Sequence, residues 1–510
     1  MIEAKFTVVG HCADGDARLL SVFEDVADGQ EHILLYRVTK DGVPGALHSP
    51  AVQTARIVGC RYAMVTLNHV GADATVEYLA VSVSSGSPLD ANVLWNSSNY
   101  PHRVFRTLSS KRPPRVALVT CNGPWEMPQK RKYALWRELQ KQVNAGKVDL
   151  VLHGGDQIYA DPVRVSALEL LAKDSATSAE TIYQHAIARY VEKYLWAWSV
   201  PEMREILGTV PHLMMWDDHE VYDGWGSNEE DAQPESQAIF RAAKEAFSVF
   251  QRSHGPMAWS NKTHGWGVLT DSVGIAALDG RSLRNYSKGV VHGAEQLNLF
   301  AEWLKAAATL KLKHLFVMVG IPVVFAPIVG LLKLYEATPW REEMTDDLRD
   351  AWVAPNNAEE LRRLLFRVFD FIKASPETHV TLLSGDVHVG TLAAIHSTLT
   401  AHGGSASTPV VLHQITSSGI ATAPPTGISA ALLRAVTGGA VELVGSSVTG
   451  QLLRLSGAKN AHLVSERNFV IISMSDESGN DWDAFGNQWV EFCAEDGDAV
   501  RWFEQVLLRG

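Results

Sequence analysis

From Val116 onward, short apolar runs alternate with helix-length stretches, and four of the runs end directly in polar, metal-capable residues. The run VALVT leads into Cys121-Asn122-Gly123. VDLVLH leads into Gly154-Gly155-Asp156-Gln157-Ile158-Tyr159-Ala160-Asp161. HLMMW leads into Asp217-Asp218-His219-Glu220, and VTLLS into Gly385-Asp386-Val387-His388. Alternating strands and helices imply an α/β fold with a largely buried sheet. In an open α/β sheet the carboxyl ends of the strands converge on one rim, where ligands bind. Four clusters far apart in sequence are therefore expected to build one pocket.

Helices are expected near 130–144, at about 163–175, 179–198, 235–252, 293–308 and 357–373. PVVLHQIT and RNFVIISM are expected to extend a second sheet. The Gly/Ser/Ala/Thr-rich stretch from about 399 to 462 is the least patterned. Upstream of the α/β pattern lie KFTVVG, HILLYRVT, ARIVGC, YAMVTL and VEYLAVSV, separated by Gly, Asp, Asn and Pro. Short strands without intervening helices read as a small β-sandwich over 1–108. LSSKRPPR reads as a linker, and 109–510 forms the second domain.

The chain of 510 residues is 46% hydrophobic and 20% charged, which suits globular domains and excludes disorder. Its formal net charge of −12 argues against a general nucleic-acid binder. Cys12, Cys60, Cys121 and Cys493 form no CxxC pair. So sparse a set suits reduced thiols and a cytoplasmic location, and no signal peptide is read at the N-terminus. LFVMVGIPVVFAPIVGLL, 315–332, is uncharged and about long enough to span a bilayer. Pro322 and Pro327 divide it, so it reads as a buried strand and its continuation, and no membrane association is expected.

The residue types at the four strand ends suit metal binding. Asp156 follows two glycines, which permit the tight turn that aims a carboxylate at the rim. Its two oxygens can bridge two cations. Tyr159 lies one turn on, and a phenolate suits a trivalent metal. The four consecutive ionisable residues 217–220 are costly to bury without cations. Asp218 is a candidate ligand, and His219 a candidate proton donor to a leaving alkoxide. Asp386 and His388, one residue apart, point the same way on an extended strand end. Cys121 is a candidate thiolate ligand, although a buried cysteine often serves only as a small apolar residue.

In order and spacing, Thr120-Cys121, Gly155-Asp156-x-Ile158-Tyr159, Trp216-Asp217-Asp218-His219-Glu220 and Ser384-Gly385-Asp386-x-His388 resemble the PhoD-like branch of the metallophosphatases. The resemblance covers roughly residues 110 to 420. It implies a metallophosphatase-type sheet sandwich flanked by helices, preceded by a β-domain. It also implies metal-dependent hydrolysis of phosphate esters, and so a small phosphorylated substrate. The implied centre holds iron(III) and calcium with Asp156 bridging. Cys121, Tyr159 and Asp386 lie toward iron, and Asp218 and His388 complete the cluster. Manganese or zinc is the alternative. Gly320-Ile321-Pro322 lacks the Gly-His site that other metallophosphatases carry after a middle strand, which speaks against a standard dimanganese or dizinc centre. Leu278-Asp279-Gly280-Arg281-Ser282-Leu283-Arg284 resembles a further motif of the group, and Arg281 is the candidate phosphate clamp, with a salt-bridging role as the plainer reading. Asp161 and Glu220 are read as helix caps or as residues that orient ligands. The rival functions are a dedicated phosphodiesterase or nuclease on the same site, and a non-catalytic metal-binding scaffold.

Overall fold

The computed structural model describes residues 2–13, 15–25, 30–84, 90–109, 112–124, 128, 130–270, 272–325, 349–400, 409–425, 439–474 and 487–507. Two mixed sheets stack face to face. The first has six strands in the order His212–Met215, Leu150–Gly154, Val116–Val119, Asn468–Ser473, Gln488–Asp496, Ala499–Leu507. The second has eight, in the order Trp266–Leu269, Val273–Ala277, His314–Met318, His379–Ser384, Val410–Thr416, Thr391–Ser397, Val448–Leu452, Val441–Val444.

Side-chain alternation along the strands builds the layers. Val116 and Leu118 meet Phe316, Met318, Ile415 and Phe492 between the sheets. Ala117 and Val119, one residue out of phase, pack under the outer helices with Trp198, Ala242 and Phe247. Leu315 and Val317 do the same on the far side, against Leu304, Leu364 and Phe369. These strands are buried on both faces, which is why they read as continuous apolar runs.

The expected helices are observed as Ala134–Asn144, Asp161–Lys173, Ala179–Trp198, Pro234–Phe247, Ala294–Ala308 and Ala358–Ala374, with shorter ones at Ala91–Trp95 and Pro201–Leu207. The helical pattern expected to run to 252 ends instead in a turn of π-helix, Ser248–Arg252. RNFVIISM does not extend the second sheet. Its strand lies antiparallel beside Val116–Val119 in the first, pairing Val116 with Ile472. In the stretch 315–332, Leu315–Met318 belongs to a strand, and 326–332 lies outside the described residues. No helix among the described residues is long and apolar enough to cross a membrane.

The N-terminal region is strand-rich, as expected. It has a sheet in the order Ile2–Glu3, Thr75–Ser84, Gln30–Lys40, Val43–His48, with Arg103–Arg106 also on Thr75–Ser84. Its second sheet has the order Phe6–Ala13, Asp16–Glu24, Cys60–Leu67, Thr54–Ile57. Val9, Leu19, Leu34, Val65 and Val76 fill the space between the two. The opposite face of the second sheet, through Phe6, Val8, Leu20 and Val22, joins the helical core around Trp198 and Phe250. The stretch expected to be a linker is tied down in its described part. Arg112 donates to both oxygens of Asp149, at 2.6 and 2.8 Å, and the backbone N–H of Arg115 donates to Asp149 at 2.8 Å.

Candidate metal centre

All four polar clusters lie at carboxyl ends of strands that have parallel neighbours in their own sheets. Three of these strands adjoin in one sheet, Leu150–Gly154 between Val116–Val119 and His212–Met215, and His379–Ser384 lies in the other. The chain turns sharply there. Cys121, Asp156, Asp386 and His388 are four of the eight described non-glycine residues with positive φ, at 56°, 57°, 65° and 53°. Such conformations disfavour L-residues and persist where surrounding structure imposes them, typically at functional sites. Gly155, at φ 114°, allows close passage of two strand ends, since a Cβ there would lie 2.5 Å from that of Asp217.

The side chains meet. Ligand atoms of Cys121, Asp156 and His388 lie within 4.8 Å of one another, as do those of Asp156, Asp218 and His219, and those of Asp217, Asp218 and Asp386. The Cys121 thiol is 3.4 Å from Asp156 Oδ2 and 3.1 Å from Ser418 Oγ. Tyr159 OH is 2.8 Å from His388 Nε2 and 3.1 Å from Thr422 Oγ1. The six site residues expected to bind metal are therefore brought together.

Six carboxylates, from Asp156, Asp217, Asp218, Glu220, Asp350 and Asp386, share this region with only Arg281, Arg284 and His219 as described cationic partners. Burial raises Asp156 well above the ordinary carboxylate range, and Cys121 and Asp218 raise it further. Burial does the same to Asp386, helped by Asp217 and Asp218. Tyr159 is pushed up by burial, then by Cys121 and Asp156. Asp156 Oδ1 and Asp217 Oδ2 are buried without a hydrogen-bond partner. Unpaired buried carboxylate oxygens are costly. Cations at this point would satisfy them, so the donor set fits a metal centre: thiolate, phenolate, imidazole and several carboxylates.

Glu220 braces the site. Its carboxylate accepts the backbone N–H of Asp156 (2.9 Å), Gln157 (2.6 Å) and Asp217 (2.8 Å), and the Gln251 amide (3.0 Å). Asp161 accepts from His219 Nδ1 at 2.9 Å and from the backbone N–H of Asp223 at 2.8 Å. Burial works against a charged His219, but Asp218 and Asp161 outweigh it and carry the imidazole up to about 10. Asp218 shows the reverse balance: Arg281 and His219 overcome burial and hold it at about 2.

Arg281 is not placed as an open phosphate clamp. Its side chain is fully buried and its guanidinium is committed to Asp217, to Asp350 at 2.6 Å and to Asp218 at 3.4 Å. It balances charge among the acids, as a buried arginine must. Asp350 also receives Arg284 at 2.9 Å. No sequence signal pointed to Asp350, which stands in no strand-end motif. None pointed to Ser418 and Thr422 either, although they follow the strand Val410–Thr416, whose carboxyl end could have drawn attention. Thr422 Oγ1 donates to the Cys121 carbonyl at 2.8 Å, and Ser418 Oγ accepts the His388 N–H at 2.8 Å.

Comparison with known proteins agrees with this geometry. The family model of PhoD-like phosphatases matches residues 116–451. An uncharacterised protein of Saccharomyces cerevisiae, YGR266W, is 25% identical over an alignment 376 positions long that covers 59% of this chain and 53% of that protein. The chain thus spans about half the length of this curated relative. Among solved structures, PhoD superposes with a TM-score of 0.62 at 13% identity, covering 100% of this chain and 90% of that one. The purple acid phosphatase PPD1 of yellow lupin (Lupinus luteus) seeds gives 0.54 at 11% identity, covering 98% and 73%. These two likenesses carry the fold, a metallophosphatase-like sandwich of mixed sheets. With two thirds of its length matched by the family model, the chain belongs to the PhoD-like phosphatases.

Proposed function

We propose that the protein hydrolyses phosphate monoesters and diesters with water, at a centre of iron(III) and calcium held by Cys121, Asp156, Tyr159, Asp218, Asp386 and His388. The observation that carries this reading is the meeting of Asp156, Asp218 and His219 at one point, with Asp156 Oδ1 buried and unpartnered. Thiolate and phenolate donors favour iron(III), and the surrounding carboxylates favour calcium. Bound there, the cations supply Lewis acidity toward a phosphoryl oxygen and lower the pKa of water.

The chain's own residues do the rest. His219 donates Nδ1–H to Asp161, which fixes the ring and leaves Nε2 to carry a proton to the departing oxygen. Asp161, hydrogen-bonded to Nδ1, favours the charged imidazole that can donate. Arg281 positions Asp217, Asp218 and Asp350 and does not touch the phosphate. Glu220 holds the turns that present Asp156 and Asp217. Four cysteines, all unpaired, support a cytoplasmic setting.

The test is hydrolysis of matched chromogenic monoesters and diesters by purified protein, after chelation and after adding back iron and calcium together or manganese or zinc alone. Activity lost on chelation and restored best by iron with calcium supports the reading. Chelator-resistant turnover of either ester contradicts it.

A further inference from the structure

The Cys121 sulfur is fully buried at the metal centre, and so is Ser418, just past the strand Val410–Thr416. Asn468 holds Ser418 in place, its Nδ2 donating to the Ser418 carbonyl at 2.9 Å. Ser418 Oγ accepts the backbone N–H of His388 at 2.8 Å and lies 3.1 Å from Cys121 Sγ. A hydroxyl carries one hydrogen and two lone pairs. With one lone pair taken by the His388 N–H, the hydrogen is left to point at the sulfur. The other hydrogen-bond neighbours of that sulfur among the described residues are Thr120 Oγ1 at 3.4 Å, Asp156 Oδ2 at 3.4 Å, the Asp386 carbonyl at 3.9 Å and Tyr159. Thr120 donates its own hydrogen to the Ser417 carbonyl at 2.7 Å. The carboxylate and the carbonyl only accept, and a phenolate bound to a metal has no hydrogen left. A thiol bound to a metal is deprotonated as well. Ser418 is therefore the hydroxyl that can donate to a Cys121 thiolate.

We infer that Ser418 is a positioning residue for the cysteine ligand: its O–H donates to Cys121 Sγ and limits how strongly the sulfur donates to iron, while its oxygen fixes the turn that carries His388. This rests on the reading above that Cys121 and Tyr159 hold iron(III). A hydrogen bond to a ligating sulfur draws electron density from it, which weakens the metal–sulfur bond and raises the reduction potential of the metal. Partners of this kind, one bond removed from the metal, orient and tune the ligands they touch. One buried hydroxyl thus reaches two ligands from different sheets, the thiolate through its hydrogen and the imidazole's backbone through its oxygen.

The test is resonance Raman spectroscopy of the wild type and Ser418→Ala, both loaded with iron and calcium and excited in the sulfur-to-iron charge-transfer band, with ester hydrolysis assayed on the same samples. Loss of the hydrogen bond should raise the iron–sulfur stretching frequency, move the charge-transfer band to longer wavelength and lower the reduction potential. The ring modes of the bound tyrosinate are the internal control and should stay in place, since a general loosening of the site would move both. An iron–sulfur mode that stays or falls overturns the inference, as does one that moves only together with the tyrosinate modes. Loading the wild type in heavy water should shift the same mode, because the Ser418 hydrogen is then deuterium. Should the alanine variant not fold, this shift decides, and its absence overturns the inference. A wild type with no iron–sulfur mode also overturns it. If that protein still hydrolyses esters, the hydrolase reading stands on other ligands. The expected shifts in a protein that hydrolyses no ester leave the inference in place and sink the hydrolase reading.

Discussion

The Glu220 carboxylate holds the backbone N–H of Asp156 at 2.9 Å while the same oxygen, Oε2, holds that of Asp217 at 2.8 Å. One buried side chain thereby ties together two strand ends from which metal-binding acids project. Glu220→Gln places an amide group against N–H donors on one side or the other. The variant is expected to fold and to lose about 10–100-fold in metal affinity, as is common when a residue orienting a ligand is removed. Titration with metal after chelation checks this. Unchanged affinity would show that the two turns hold their shape without Glu220.

His219→Asn removes the proton donor but keeps a side chain able to reach Asp161. Esters with alkyl leaving groups need that proton, and those with nitrophenol leaving groups hardly do. The variant should lose about 10²–10⁴-fold in kcat on alkyl esters, and far less on nitrophenyl esters. Equal losses on both would remove His219 from proton transfer.

Arg281 carries three aspartates in a region closed to water. Arg281→Met leaves Asp217 without its counter-charge and only Arg284 and His219 to serve Asp350 and Asp218, and a buried pair broken on one side costs about 3–5 kcal/mol. Urea unfolding in chelator should show that loss for the metal-free protein. A change under about 1 kcal/mol would mean that the acids are already neutral or hydrated there.

Two buried histidines lie away from the acids. Burial holds His212 at about 4, and burial with His379 alongside holds His413 at about 3. In the unfolded chain each titrates near pH 6.5. Between that pH and about 4 the unfolded state binds more protons than the folded one, so stability falls as the pH falls. The effect is absent above about pH 6.5 and amounts to about 1.4 kcal/mol per pH unit for each histidine. Urea unfolding of metal-free protein from pH 7.5 to 4.5 measures it, and His413→Gln should flatten the curve. An identical slope in the variant would refute the contribution of His413.

The strand-end clusters were legible because strand periodicity and the rim rule act locally: Asp156, Asp218 and Asp386 each end a run buried on both faces. The fate of Arg281 was not legible. Its partner Asp350 lies 69 residues away, and no local pattern announces which acids a buried guanidinium will meet. Thr422 and Ser418 escaped for a similar reason. Their role is to hold the Cys121 carbonyl, from the other sheet, and the His388 N–H, from the same one, contacts made by small hydroxyls far apart in sequence. The strand Asn468–Ser473 was assigned to the wrong sheet because an apolar run states burial, not which neighbour it pairs with. LSSKRPPR was read as a linker from its composition, whereas Asp149 binds both of its arginines.

The most direct measurement is metal content together with turnover for the wild type and Asp156→Asn, purified side by side and reloaded with iron and calcium. Among the described residues, Asp156 stands in two of the three groups able to hold a metal ion. The variant is therefore expected to keep its fold, to lose bound metal and to lose nearly all hydrolysis of phosphate esters. A folded Asp156→Asn that retains full metal content and full activity would contradict the account.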